Sequence, residues 1–166
     1  MNMRKFSFVL LATLFLTAAN VHAVGLGVPF GFGSSTIFNE SSTGSGSVGL
    51  RIHFSDMFAL QPALAFHSES GDFSNKETTM MLSVAGFFYL LETNDIRHYV
   101  GANINMSTAD NSPFGLSVVY GLQHQVLDAV DLFGQVGFGM LFDDNRSRND
   151  FSTLNTQIGV IFYFSR

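Results

Sequence analysis

The sequence predicts an all-β protein, an eight-stranded antiparallel up-and-down β-barrel of the transmembrane kind. Three observations carry that expectation. Large apolar residues recur at every second position in one segment after another, the period of a strand whose side chains point alternately to two faces. The connections between segments alternate without exception between long polar stretches and short ones. The face opposite each apolar stripe is made of Gly, Ala, Ser, Asn and Gln, not of the Lys and Glu that cover a wetted surface.

The chain opens with a short basic region, Arg4 and Lys5, then the apolar run Phe6 to Ala19, then Val21-His22-Ala23. That order reads as a cleavable secretory signal peptide covering residues 1–23. The apolar run is shorter than the ~20 residues a spanning helix needs. The remaining chain, 24–166, has the length of one domain. It contains no cysteine, so no disulfide framework supports it. Without the leader, six basic residues stand against thirteen acidic ones, and no basic patch suggests a nucleic-acid partner.

Eight strands are expected, at 24–38, 46–54, 58–68, 78–91, 96–106, 114–125, 130–142 and 154–164. In the first, Leu26, Val28, Phe30 and Phe32 alternate with Gly25, Gly27, Gly31 and Gly33. The glycine spacing is G-x-G-x-x-x-G with no helical segment after it, which does not fit a dinucleotide loop. In the second, Val48, Leu50, Ile52 and Phe54 oppose Gly49, Arg51 and His53; in the third, Phe58, Leu60, Leu64 and Phe66 oppose Ala59, Gln61, Ala63, Ala65 and His67. The fourth segment, Thr79 to Glu92, is apolar on both faces and rich in Leu and Met, which favour helix. It is read as a strand because the strands on both sides of it need a partner. The fifth to eighth alternate cleanly: Val100 to Met106 against Tyr99 to Asn105, Leu116 to Leu122 against Gly115 to Gln123, Val136 to Phe142 against Gln135 to Gly139, and Ile158 to Phe164 against Gln157, Gly159 and Tyr163. The long connections fall at 39–45, 69–77, 107–113 and 143–153, the short ones at 55–57, 92–95 and 126–129.

A soluble lipocalin-like barrel and a membrane barrel both use such strands, with opposite faces inward. The small, weakly charged second face suits the interior of an eight-stranded barrel, which side chains just fill. A closed barrel also pairs every backbone group, as hydrocarbon requires. An even strand count puts both termini and the short turns at one end, the periplasmic one by the usual asymmetry, and the four long loops outside.

By strand parity the polar residues Arg51, His53, Gln61, His67, Arg97, Tyr99, Asn103, Gln123 and Gln135 point inward, where buried charge must be paired or hydrated. Glu69, Glu92 and Asp131 are candidates to join them. A wide diffusion pore is not expected at this strand number. His67-Ser68-Glu69 lacks the geometry of a hydrolase site, because neighbouring residues of a strand face opposite sides and a nucleophile must reach its base. His98 and His124 lie near each other on adjacent strands, but two histidines make a weak metal site and read better as interfacial side chains. Asp143, Asp144, Asn145 and Asp150 lack the spacing of a calcium loop. No motif implies a cofactor, and none implies an enzyme.

The whole of 24–166 resembles the small bacterial outer-membrane barrels of the OmpA/OmpX type. The most specific element is the C-terminus, where Gln157, Gly159, Phe162 and Phe164 fill the polar, glycine and aromatic positions of the family's insertion signal. Ser165 and Arg166 follow the final aromatic, whereas family members usually stop on it. The resemblance implies a Gram-negative outer-membrane location, contact with membrane lipid and lipopolysaccharide, and recognition by the barrel assembly machinery. It further implies a structural, adhesive or envelope-integrity role through the loops, which could meet an extracellular ligand. The alternatives are a small channel for a minor solute and, less in keeping with the residues, a lipid-modifying enzyme.

Overall fold

The computed structural model describes residues 25–35, 45–68, 78–107, 114–143 and 148–165. The leader segment, the bulk of the four long connections and Arg166 lie outside the described residues, as do Glu69, Asp144, Asn145 and the side chains of His67, Ser68, Asp143 and Asp150. Every element is a strand: β1 Gly25–Ser35, β2 Ser45–Gly49, β3 Arg51–His53, β4 Phe58–Ser68, β5 Thr78–Thr93, β6 Ile96–Ser107, β7 Phe114–Leu127, β8 Val130–Asp143 and β9 Arg148–Ser165. β2 and β3 keep one register against β1 and one against β4, and Leu50 between them still donates its N–H to the Pro62 carbonyl at 3.0 Å. They are two halves of a single barrel strand, so the barrel has eight.

All pairings are antiparallel between chain neighbours, and β1 also pairs with β9 over Leu26↔Ser165 to Ser35↔Asn155, which closes the sheet. The register can be followed once around. Gly25 faces His53, then Ala59, Phe87, Gly101, Val119, Gly137 and Asn155 in turn, and the path returns to β1 at Ser35 instead of Gly25. This ten-residue stagger over eight strands sets the tilt of a tight barrel, about 35–45°.

β5 is a strand throughout, although its sequence is apolar on both faces: Met81, Ala85, Phe87 and Tyr89 turn inward and are buried, while Phe88 and Leu90 are exposed. Several strands run further than the alternation suggests, and the cause is the same each time. The register slips by one residue between Tyr89 and Leu91, between Gln125 and Leu127, and on β9 opposite the step from Gly137 to Gly139. A bulge flips the odd–even phase of the strand beyond it. The period-2 signal therefore stops before β5 ends at Thr93 and β7 at Leu127, and it begins after β9 starts at Arg148. Ser165 is still a strand residue, paired with Leu26 past a further irregularity next to Phe164.

The three short turns and both strand ends Gly25 and Ser165 lie at one end of the barrel. Asn94 and Asp95 both have positive φ, 50° and 64°, between the paired Thr93 and Ile96. That is the primed two-residue turn whose twist matches a hairpin. In the β3–β4 connection the Ser55 hydroxyl accepts the N–H groups of Met57 and Phe58 at 3.3 and 3.1 Å.

Candidate functional site: a polar plug in the turn half of the barrel

The interior of the barrel is not uniform. In the loop half it is lined mostly by small residues, among them Gly31, Ser47, Ala63, Ser83, Asn103, Gly115 and Ser117, with Met81 the large exception. In the turn half it is filled by large side chains, including Phe87, Phe133 and Ile161. Four of these large groups follow one rule of placement. Phe87 stands opposite Gly101, Tyr99 opposite Gly121, Phe133 opposite Gly159 and Tyr163 opposite Gly27 in the cross-strand register. Each ring lies where the facing residue has no side chain. A Cβ on Gly121 would sit 2.2 Å from Tyr99 Cζ, and one on Gly101 would sit 2.6 Å from the Phe87 ring.

Between these rings lies a hydrogen-bonded network. The Arg51 side chain is wholly buried, with Nε donating to Gln61 Oε1 at 2.7 Å and Nη1 to Gln123 Oε1 at 3.0 Å. Its guanidinium lies over Phe87 at 4.4 Å and near the Phe133 and Tyr99 rings at 5.4 and 5.7 Å. Arg51 Nη2 has no hydrogen-bond acceptor among the described residues, so the π faces are what meet its charge there. Gln123 is the hub. Its Oε1 accepts from Arg51 and from the Tyr89 hydroxyl (2.8 Å), and its Nε2 donates to the Tyr163 hydroxyl (2.8 Å) and to Asp131 Oδ2. Asp131 in turn pairs with Arg97 at 3.4 Å, and the Arg97 guanidinium lies 4.9 Å from the centre of the Tyr89 ring. His53 Nε2 is 3.0 Å from the Tyr163 hydroxyl, and the imidazole stacks on Tyr89. A second chain leads toward the loops: Tyr99 donates to Gln135, Gln135 to Gln157, and Gln157 to the Ser47 hydroxyl, at 2.7 to 3.0 Å.

Of the interior residues singled out in the sequence, Arg51, His53, Gln61, Arg97, Tyr99, Gln123 and Gln135 all belong to this network. Asn103 stands apart in the loop half, donating to Asn105 Oδ1 at 3.1 Å, and its own Oδ1 is unmet among the described residues. The side chain of His67 lies outside the described residues. Glu92 is exposed at the rim, where it lines a recess of about 150 Å³ with His53, Asp56, Arg97 and Tyr163. Sequence reading missed Tyr89 and the rings at Phe87 and Phe133. The signal for Phe87 and Phe133 was in the inward glycines, each of which reserves space for a large neighbour across the strand. At the C-terminus, Gln157 faces inward, Gly159 makes room for Phe133, and Phe162 and Phe164 point outward. His98 and His124 take different hydrogen-bond partners: His98 Nδ1 is 2.6 Å from the Tyr120 hydroxyl, and His124 Nδ1 is 3.3 Å from the Asp95 carbonyl. Among the described residues no three metal-binding side chains cluster.

No protein-family model matches the chain, and no curated protein matches it. Solved structures do. Outer membrane protein H (OprH) of P. aeruginosa aligns at a TM-score of 0.66 and 10% identity, over 84% of this chain and 99% of that one. The Neisserial surface protein A (NspA) aligns at 0.58 and 13%, over 84% and 95%. A transmembrane β-barrel designed de novo aligns at 0.59 and 17%, over 85% and 96%. The fold is that of the small eight-stranded outer-membrane barrels. The likeness extends to a designed barrel, so at these identities what is shared is the fold.

Proposed function

We propose that this chain is a plugged, non-enzymatic barrel of the bacterial outer membrane, exported by residues 1–23 and acting structurally or through its four long loops at the cell surface. One observation carries the reading: the polarity of the barrel is inverted relative to a soluble protein. Phe32, Ile158 and Phe164 on the outside are 68%, 68% and 74% exposed, whereas Arg51, Gln123 and Asp131 inside are 0 to 1% exposed. Such a continuous apolar belt in water would be an aggregation surface, while against acyl chains it is the favoured face. The buried Arg51–Gln123 contact joins β3 to β7 through the interior, which favours an envelope or surface-interaction role over solute passage. Lipopolysaccharide and lipid are the surrounding medium in this proposal, and the C-terminal residues Gln157, Gly159, Phe162 and Phe164 would present the chain to the assembly machinery.

Fractionation combined with electrophoresis before and after boiling tests the location. The expected result is an outer-membrane protein whose unboiled band migrates differently; a detergent-free soluble protein with no such shift would sink the proposal. Planar-bilayer recording tests the plug. Wild type is expected to show no sustained conductance, and Arg51→Ala combined with Tyr99→Ala is expected to admit ions.

A further inference from the structure

The outward face near the turns is apolar on most strands. Phe58, Phe88, Leu90, Leu91, Leu132, Phe162 and Phe164 ring this level, and the bulges next to Leu90 and Val126 set pairs of large apolar residues, Leu90-Leu91 and Val126-Leu127, side by side on the outside. One sector differs. On β6 and β7, His98, His124 and Tyr120 stand on this outer face, with His98 opposite Leu122 and His124 opposite Ile96 in the register, so the two imidazoles are diagonal neighbours. Each ring is oriented by a partner. Asp95 O can only accept, so His124 Nδ1 carries the proton it donates. The Tyr120 hydroxyl, reaching back along the strand to His98 Nδ1, can donate there, and in the tautomer that accepts it His98 carries its proton on Nε2, directed away from that bond. Beyond the histidines, at the water end, the adjoining turns carry the exposed carboxylates Asp95 and Asp128. From the middle of the barrel toward its end the order is therefore hydroxyl, imidazoles, carboxylates.

We propose that this sector binds the headgroup of an aminophospholipid in the turn-side leaflet. Its phosphate accepts from His98 Nε2–H beside His124, and its ammonium lies against Asp95 and Asp128. The inference rests on the outer face being lipid-facing. The sequence of groups along the barrel matches that of the headgroup, phosphate nearer the acyl chains and ammonium nearer water.

Native mass spectrometry of the mature chain in maltoside micelles tests it, with phosphatidylethanolamine, phosphatidylglycerol and diacylglycerol as separate probes. Wild type is expected to retain one phosphatidylethanolamine, to hold diacylglycerol far less, and to lose about tenfold in affinity with His98→Gln plus His124→Gln, the scale of one charge-assisted hydrogen bond. Tyr120→Phe, which removes only the orienting hydroxyl, is expected to fall between, and Asp95→Asn with Asp128→Asn to erase the preference for phosphatidylethanolamine over phosphatidylglycerol. The heat-dependent band shift verifies that each variant is folded. Equal retention by folded wild type and folded histidine variants, or diacylglycerol held as firmly as phosphatidylethanolamine, overturns the lipid site and leaves the barrel standing. A wild type that needs no detergent and shows no band shift overturns the membrane reading, and the lipid site with it.

Discussion

Gln123 engages both ends of its amide. Its oxygen accepts two hydrogen bonds and its nitrogen donates two, at a side chain that is 1% exposed. Replacing it by leucine of similar volume would strip partners from Arg51, Tyr89, Asp131 and Tyr163 together, and unmet buried polar groups cost more than the bonds themselves. Gln123→Leu is expected to lower stability by about 2–4 kcal/mol, read from urea unfolding of the protein in lipid vesicles. The glycines provide a sharper contrast. At Gly121 an added methyl meets the Tyr99 ring, which is buried between Phe87 and Tyr89 and bonded to Gln135, so it cannot swing clear. At Gly86, on the outer face, the same methyl touches only Phe58 Cε2 at 3.9 Å. Gly121→Ala is expected to cost about 1–3 kcal/mol by overpacking, and Gly86→Ala to leave the unfolding midpoint nearly unchanged.

At the scale of the strand, turns and bulges decide what the alternation delivers. The bulge next to Leu90 lets Leu90 and Leu91 both face outward and brings Glu92 opposite Arg97. Without that slip, the last turn of the hairpin would present the wrong face to the membrane boundary. The Asn94-Asp95 turn holds two residues at positive φ, which Asn and Asp tolerate and glycine adopts without strain. Asp95→Gly keeps the carbonyl that accepts from Gln125 N–H and His124, and is expected to raise stability by about 0.5 kcal/mol. Asp95→Val forces a β-branched residue into that region and is expected to cost about 1–2 kcal/mol. The same urea titration reads both.

At the scale of the whole molecule, the surroundings set the sign of a mutation. Ile158 is 68% exposed, on the outer face of β9, among apolar neighbours Phe30, Phe32 and Val136 on the strands beside it and far from either end of the belt. In water, lysine at so exposed a position would be neutral or favourable. In a bilayer the charge must leave water, and Ile158→Lys is expected to lower stability by about 2–4 kcal/mol in phospholipid vesicles. The contrast is measurable by comparing unfolding in vesicles with unfolding in detergent, whose mobile headgroups let the ammonium reach water. A variant equally stable in both would contradict a lipid-facing Ile158.

Much of this was legible in the residues. Parity is a local property: once Phe30 and Ile158 are large and Gly31 and Gly159 small, the two faces of their strands are assigned without reference to the rest of the chain. The placement of Arg51, Tyr99, Gln123 and Gln135 on the inner face needs nothing more. Hidden from that reading were the bulges, because a one-residue slip inverts the parity that the reading depends on, and so the ends of β5, β7 and β9 were misplaced. Hidden too was which inward residues meet. Arg51 and Gln123 are 72 residues apart in the chain, and only closure of the sheet with its ten-residue stagger brings them to the same level of the barrel. The sequence by itself determined which face each side chain takes, since alternation is written in adjacent residues. Register around a closed sheet is a property of all eight strands at once, so the tertiary structure alone decided that these side chains would gather into one plug near the turns.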